Sequence, residues 1–143
     1  MRRDFDIDAV LREPLVARVA TSGPTVRPVW FLWEEQAFWW LTGPWSSLER
    51  HLLSDPEVAL VVDICDLGTG EVKQVRARGV AEVMPYDHER AYRKLSRYLG
   101  REEALWDGSR FRLKNSDKEN KFVRLAPDRL EAIDLSYVPA GRS

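Results

Sequence analysis

Apolar and polar positions change period several times along this chain, and the changes mark out its elements. IDAVLRE (7–13) repeats apolar residues at helical spacing and stops at Pro14, so it predicts a short amphipathic helix. LVARVAT (15–21) reads as a strand, closed by the turn Ser22-Gly23-Pro24. Residues 25–33 and 37–42 predict two strands joined as a tight hairpin across the polar pair Glu34-Glu35. Residues 28–33 and 38–41 are apolar at nearly every position. A strand with two apolar faces must be covered on both. On a small barrel, such an outer face predicts a second subunit.

Residues 46–53 predict a helix. Ser46 and Glu49 fit the N-cap and N3 positions of a capping box. Trp45, Leu48 and Leu52 fall on one side and Ser47 and Arg50 share another. Ser54-Asp55-Pro56 ends it. EVALVVDICD (57–66) predicts a buried strand. Residues 71–84 alternate with period two and predict a long strand bent at Gly79, with a hairpin loop from Asp66 to Gly70. Asp87 caps a helix running to Leu99, with Gly100 as its C′ residue. REEALW (101–106) predicts a short helix and residues 107–117 a loop. Residues 121–126 and 129–135 predict a last hairpin turning at Pro127-Asp128. Together these give one mainly β domain with short helices, spanning residues 1–143, as a barrel or sandwich of short antiparallel strands.

Charge narrows the partners. With 22 basic and 23 acidic residues, the net charge of −1 gives no global field to attract nucleic acid. Arg76, Arg78, Arg90, Arg93 and Arg97 are the candidates for a local patch, but they lack the aromatic interleaving of a nucleic-acid surface. Cys65, the single cysteine, allows no internal disulfide and fits a reducing cytoplasm. At the end of an apolar run it reads as a buried, inert thiol. MRRDFDID carries no apolar stretch of a secretory signal, and no apolar run is long enough to span a bilayer. A cytoplasmic protein without membrane contact is expected.

Candidate chemistry is sparse. Neither His51 nor His88 lies in a metal-ligand spacing, and no nucleophile elbow, paired carboxylates or P-loop appears. No metal site and no catalytic acid or base is expected, so any redox activity would come from a bound cofactor. The segment Gly43–Arg50 is the candidate anion site: backbone N–H groups, two serine hydroxyls and a guanidinium converge there. Ser46 is equally explained by capping and Arg50 by a solvated face. Most of the tryptophans read as core, while Trp30 and Trp40 are the candidates to wall a flat heteroaromatic ring.

The run VRPVWFLWEEQAFWWLTGPWSSLERHLLSDPEVALVVD (26–63) resembles the pyridoxamine 5′-phosphate oxidase-like proteins, the flavin- and deazaflavin-binding split barrels. Pro28 to Phe31, Leu41-Thr42-Gly43, the following short helix, Asp55-Pro56, Arg78 to Val83 and Arg124 to Leu130 occur in the family's order, so the likeness spans roughly residues 10 to 135. It implies a six-stranded antiparallel split β-barrel that forms a homodimer with FMN or coenzyme F420 in the groove between subunits. It also implies a hydride-transferring oxidoreductase acting on a small conjugated substrate. Alternatives on the same fold are a non-catalytic flavin carrier or sensor, and a protein that has lost its cofactor. By resemblance, Val29, Trp30, Leu41 and Thr42 face the ring. Ser46, Ser47 and Arg50 hold the phosphate, and Gln74 and Arg76 reach the cofactor held by the other subunit. The word Pro28-Val29-Trp30-Phe31 favours the deazaflavin subgroup. Many relatives carry lysine and asparagine where this chain has Leu48 and His51, which removes a cation from the phosphate site.

Overall fold

The computed structural model describes residues 5–111 and 119–141. Its first helix, α1 (Ile7–Leu11), is capped by Asp6, whose carboxylate accepts from the Ala9 N–H at 3.1 Å. Strand β1 (Val16–Thr21) pairs antiparallel with β2 (Thr25–Trp30).

The predicted strand 25–33 is interrupted at Phe31. Its N–H donates to the Tyr98 hydroxyl at 3.0 Å and its carbonyl accepts from Arg97 at 3.0 Å, so neither enters a strand ladder. The chain resumes as β3 (Leu32–Glu34), which forms the hairpin with β4 (Ala37–Thr42). Glu35 and Gln36 between them have φ of 56° and 57°, the two positive values that a tight two-residue hairpin turn needs. The hairpin is therefore β3–β4, while β2 pairs with β1.

A short helix, α2 (Leu48–Ser54), leads to β5 (Glu57–Asp66) and then β6 (Glu71–Met84), paired along their length. Helix α3 (His88–Leu99) is capped by Asp87, whose carboxylate accepts from Arg90 N–H, and it ends at Gly100 with φ of 93°. A 3₁₀ turn follows at Glu103–Leu105, then β7 (Lys121–Leu125) and β8 (Arg129–Asp134). Residues 112–117 of the predicted loop lie outside the described residues.

The last two strands do not form a hairpin. Both pair with β6, β8 along Lys73–Arg78 and β7 along Ala81–Met84. The connection between them crosses Gly79, where a Cβ would lie 3.1 Å from the Ala126 carbonyl and 3.2 Å from the Asp128 nitrogen. Glycine is needed there for close approach as well as for the bend. The strands run in the order β2-β1-β5-β6-β7-β4-β3, with β8 on β6. The described residues form a curled antiparallel half-barrel of eight strands, where six were expected.

Strand β5 buries one face only. Val58, Leu60 and Val62 point inward and Ala59, Val61 and Cys65 outward, so Cys65 is exposed rather than buried. The apolar strands β3 and β4 are covered on both faces by their own chain. Phe31, Trp33, Phe38 and Trp40 enter the barrel core, while Leu32 and Trp39 meet Ala91 and Leu95 of α3, with Trp106 and Phe122. Helix α3 thus occupies the face expected to receive a second subunit.

The arginines of α3 fasten it in place. Arg90 and Arg93 pair with Glu34 at 2.7 and 2.8 Å, and Arg90 also lies 3.5 Å above the Trp39 ring. Burial works against ionisation of the half-buried Glu34, but its bonds to Arg93 and Arg90 prevail and hold its pKa below the usual carboxylate value. Arg97 donates to the carbonyls of Leu11, Arg12, Glu13 and Phe31. These three arginines are committed inside the molecule, and no shared patch with Arg76 and Arg78 forms. No helix among the described residues is long and apolar enough to cross a membrane.

Candidate functional site

The sheet fails to close between β2 and β4. Among the described residues β2 pairs only with β1, and on the β3 side the ladder of β4 stops at Trp39. Two open edges, Val26–Val29 and Trp40–Leu41, therefore line a groove of about 390 Å³, and residues 45–48 cross its end. Val29, Leu41, Ser46 and Ser47 are brought together in its walls.

The polar end of the groove differs in detail from the expectation. The capping box at Ser46 and Glu49 does not form. Helix α2 begins one residue later with Ser47 at the N-cap position, and Ser47 makes no side-chain cap bond. Ser46 Oγ instead accepts from Leu48 N–H at 3.1 Å and from Arg27 at 3.2 Å, and Glu49 turns to Lys121 at 2.7 Å. Ser47 Oγ lies 3.4 Å from His51 Nδ1. Leu48 is 2% exposed and anchors α2 in the core. A charged lysine could not occupy that place without paying for burial.

Arg50 is exposed and does not line the groove. The cation beside the serines is Arg27, which the sequence reading missed. The signal was present: period two places Arg27 on the face of Val29, which packs inward.

On these strands three buried polar atoms have no hydrogen-bond partner among the described residues: Arg27 Nε and Trp40 Nε1, whose residues border the groove, and Thr42 Oγ1, whose residue does not. By strand alternation all three belong to the inward side of the facing strands. Buried polar groups are ordinarily paired. Arg27, Ser46, Ser47 and the open edges offer donors suited to the phosphate and polar ring edge of a flavin-type molecule. The residues present fit such a group.

The tryptophans divide differently from expectation. Trp30 is stacked between Tyr98 (4.4 Å) and Phe111 (5.6 Å), so both its faces are taken, and Trp40 is wholly buried in the core. The available ring is Trp45, 66% exposed, which lies apart from Leu48 and Leu52. It folds over Gly43 so closely that a Cβ there would fall 2.0 Å from it.

Gln74 and Arg76 stand on the outer face of β6, with Arg76 donating to Gln74 at 3.3 Å. Arg76 lines a separate concavity of about 440 Å³ with Arg18, Ala20, Ala59, Val61 and Arg78. Within one chain they are not joined to the serine groove, although Val26 borders both hollows.

The family model for pyridoxamine 5′-phosphate oxidase matches residues 6–134. The chain belongs to this family. No match was found among curated proteins. Among solved structures, the family's fold recurs in a conserved hypothetical protein from Mycobacterium tuberculosis, 19% identical with a TM-score of 0.76, covering 100% of this chain and 98% of that one. An F420 reductase is 18% identical with a TM-score of 0.66, covering 90% and 98%. A FAD-binding protein from Mesorhizobium loti is 18% identical with a TM-score of 0.64, covering 94% and 98%. At these identities the likeness concerns the fold.

Proposed function

We propose that this member of the pyridoxamine 5′-phosphate oxidase family binds FMN or coenzyme F420 in the groove between β2 and β4 and is an oxidoreductase acting on a small conjugated substrate. The observation that carries the reading is the buried Arg27 Nε, without a partner among the described residues, beside the two serines on the open groove. The F420 reductase and the FAD-binding protein on the same fold support it. The word Pro28 to Phe31 favours the deazaflavin.

In this reading Ser46, Ser47 and Arg27 hold the phosphate, and Arg50 assists from the rim. The edges at Val29–Trp30 and Leu41–Thr42 face the ring, and Trp45 limits access of water. The cofactor would supply the hydride chemistry; the chain binds it, orients it and keeps it dry. Arg27→Met should weaken FMN binding by about 1.5–3 kcal/mol, the range for a charge-assisted hydrogen bond. Arg50→Ala should cost less, because a solvated contact is screened. Fluorescence titration of the folded variants checks this. A larger loss in Arg50→Ala than in Arg27→Met would move the phosphate to the helix rim.

A second copy is proposed to cover the outer face of β1, β2, β5 and β6. There Val26 (69% exposed) and Val80 (50%) frame small residues Ala20 and Ala59. Val26 also borders the cofactor groove, so a partner seated there would bring its own Gln74 and Arg76 towards it. Stable homodimers bury roughly 2,000 Å² or more. Sedimentation should give a dimer at micromolar concentration; a monomer would remove the partner's residues from the site.

A further inference from the structure

One basic residue of α3, Lys94, has no hydrogen-bond or ion-pair partner among the described residues. Arg90, Arg93 and Arg97 are all engaged by carboxylates or carbonyls. Lys94 is 5% exposed, lies on the inward stripe with Ala91 and Leu95, and makes no hydrogen bond or ion pair among the described residues. It lines a pocket of about 500 Å³ walled by Trp30, Leu41, Trp45 and Phe111. The second charged group in that lining is Arg110, and no carboxylate lines it among the described residues. The nearby phenols are committed elsewhere: Tyr98 donates to the Leu15 carbonyl and Tyr92 to that of Arg101.

A buried amine without a partner is costly, and breaking even requires an opposite charge with good geometry. Two cations and an aromatic wall, with no carboxylate among the described lining residues, describe a receptor for a flat molecule bearing a negative group. The pocket shares Pro28, Val29, Leu41 and Trp45 with the cofactor groove, so its occupant would lie directly against that groove.

We propose that this pocket is the substrate subsite and takes a planar organic anion, an aromatic or conjugated carboxylate, whose charge is paired by Lys94 with Arg110 at the mouth. Its description as a substrate site rests on the cofactor reading above; the anion site itself does not. Burial lowers the Lys94 pKa to about 8, and a bound anion would raise it again.

Benzoate and the neutral benzamide are the probes, titrated calorimetrically into the full chain. The parent should bind benzoate about tenfold or more tightly than benzamide, as one charge-assisted bond allows. Lys94→Met, which keeps the side-chain length, should lose that preference and leave benzamide binding unchanged. At about pH 8.5 benzoate should be bound with net proton uptake, read from the dependence of heat on buffer ionisation, and the uptake should vanish in Lys94→Met. A merely structural lysine would not produce it. Equal binding of the two probes, no benzoate binding by the parent, undiminished benzoate binding in Lys94→Met, or absent proton uptake would each overturn the proposal. FMN and coenzyme F420 titrations of the same samples separate the two readings. Lys94-dependent benzoate binding without cofactor binding would remove the cofactor reading alone, and cofactor binding without benzoate discrimination would remove the subsite alone.

Discussion

Replacing Trp40 with alanine should destabilise the fold by about 3–5 kcal/mol, the cost of deleting a large aromatic ring from a packed core. Trp40 is 0% exposed and sits with Phe31, Phe38 and Val123 at the centre of the barrel. Phe38 and Val123 are held on the paired strands β4 and β7, so they cannot collapse into the space without disturbing the sheet. Trp40→Phe should cost clearly less, because it keeps most of the packed aromatic bulk and removes an indole N–H that has no partner among the described residues. Urea unfolding of the cofactor-free protein measures both. An alanine variant within about 1 kcal/mol of the parent would mean that this ring is not a pillar of the core.

Lys94→Met should do the reverse and stabilise the protein at pH 7, by on the order of 3 kcal/mol for a shift of this size in a buried lysine. Its pKa falls from 10.5 to about 8 because burial penalises the ammonium. Between these values the unfolded chain binds the proton and the folded chain does not. Parent stability from this group therefore rises with pH across that window, and the full penalty is present below it. The advantage of Lys94→Met should be constant near pH 7 and shrink as pH rises from about 8 to 10.5. Paired urea curves at several pH values cancel the titration of other groups. A variant that is less stable than the parent at pH 7, or an advantage independent of pH, would contradict the burial of a charged amine.

Local chemistry made much of this fold legible. Asp87 and Gly100 bound α3 where their backbone preferences place them, and the alternation in residues 71–84 produces β6. Distant partners decided the rest. Phe31 leaves the ladder because Arg97 and Tyr98, far along the chain, take its backbone groups. The helix that covers β3 and β4 is likewise remote in sequence, so their doubly apolar pattern could not distinguish α3 from a second subunit. Strands β7 and β8 read as a hairpin because two strands and a Pro-Asp turn are locally indistinguishable from two strands that both join β6.

The site follows the same division. Val29, Leu41, Ser46 and Ser47 meet in the groove, carried there by the family's order of elements. Arg27 is legible from its alternation with Val29, although only the fold sets it beside Ser46. Lys94 was legible too, since it falls three residues after Ala91 and beside Leu95 on the apolar stripe. What no local pattern could supply is that its burial finds no counter-charge among the described residues.

The most direct test of the cofactor groove is an absorbance and fluorescence titration of the purified parent protein with FMN and with coenzyme F420. The account predicts saturable binding of at least one of them, accompanied by quenching of tryptophan emission, and weakened in Arg27→Met while Lys94→Met binds as the parent does. Binding of neither by a folded, dimeric protein, or binding indifferent to Arg27, would contradict it.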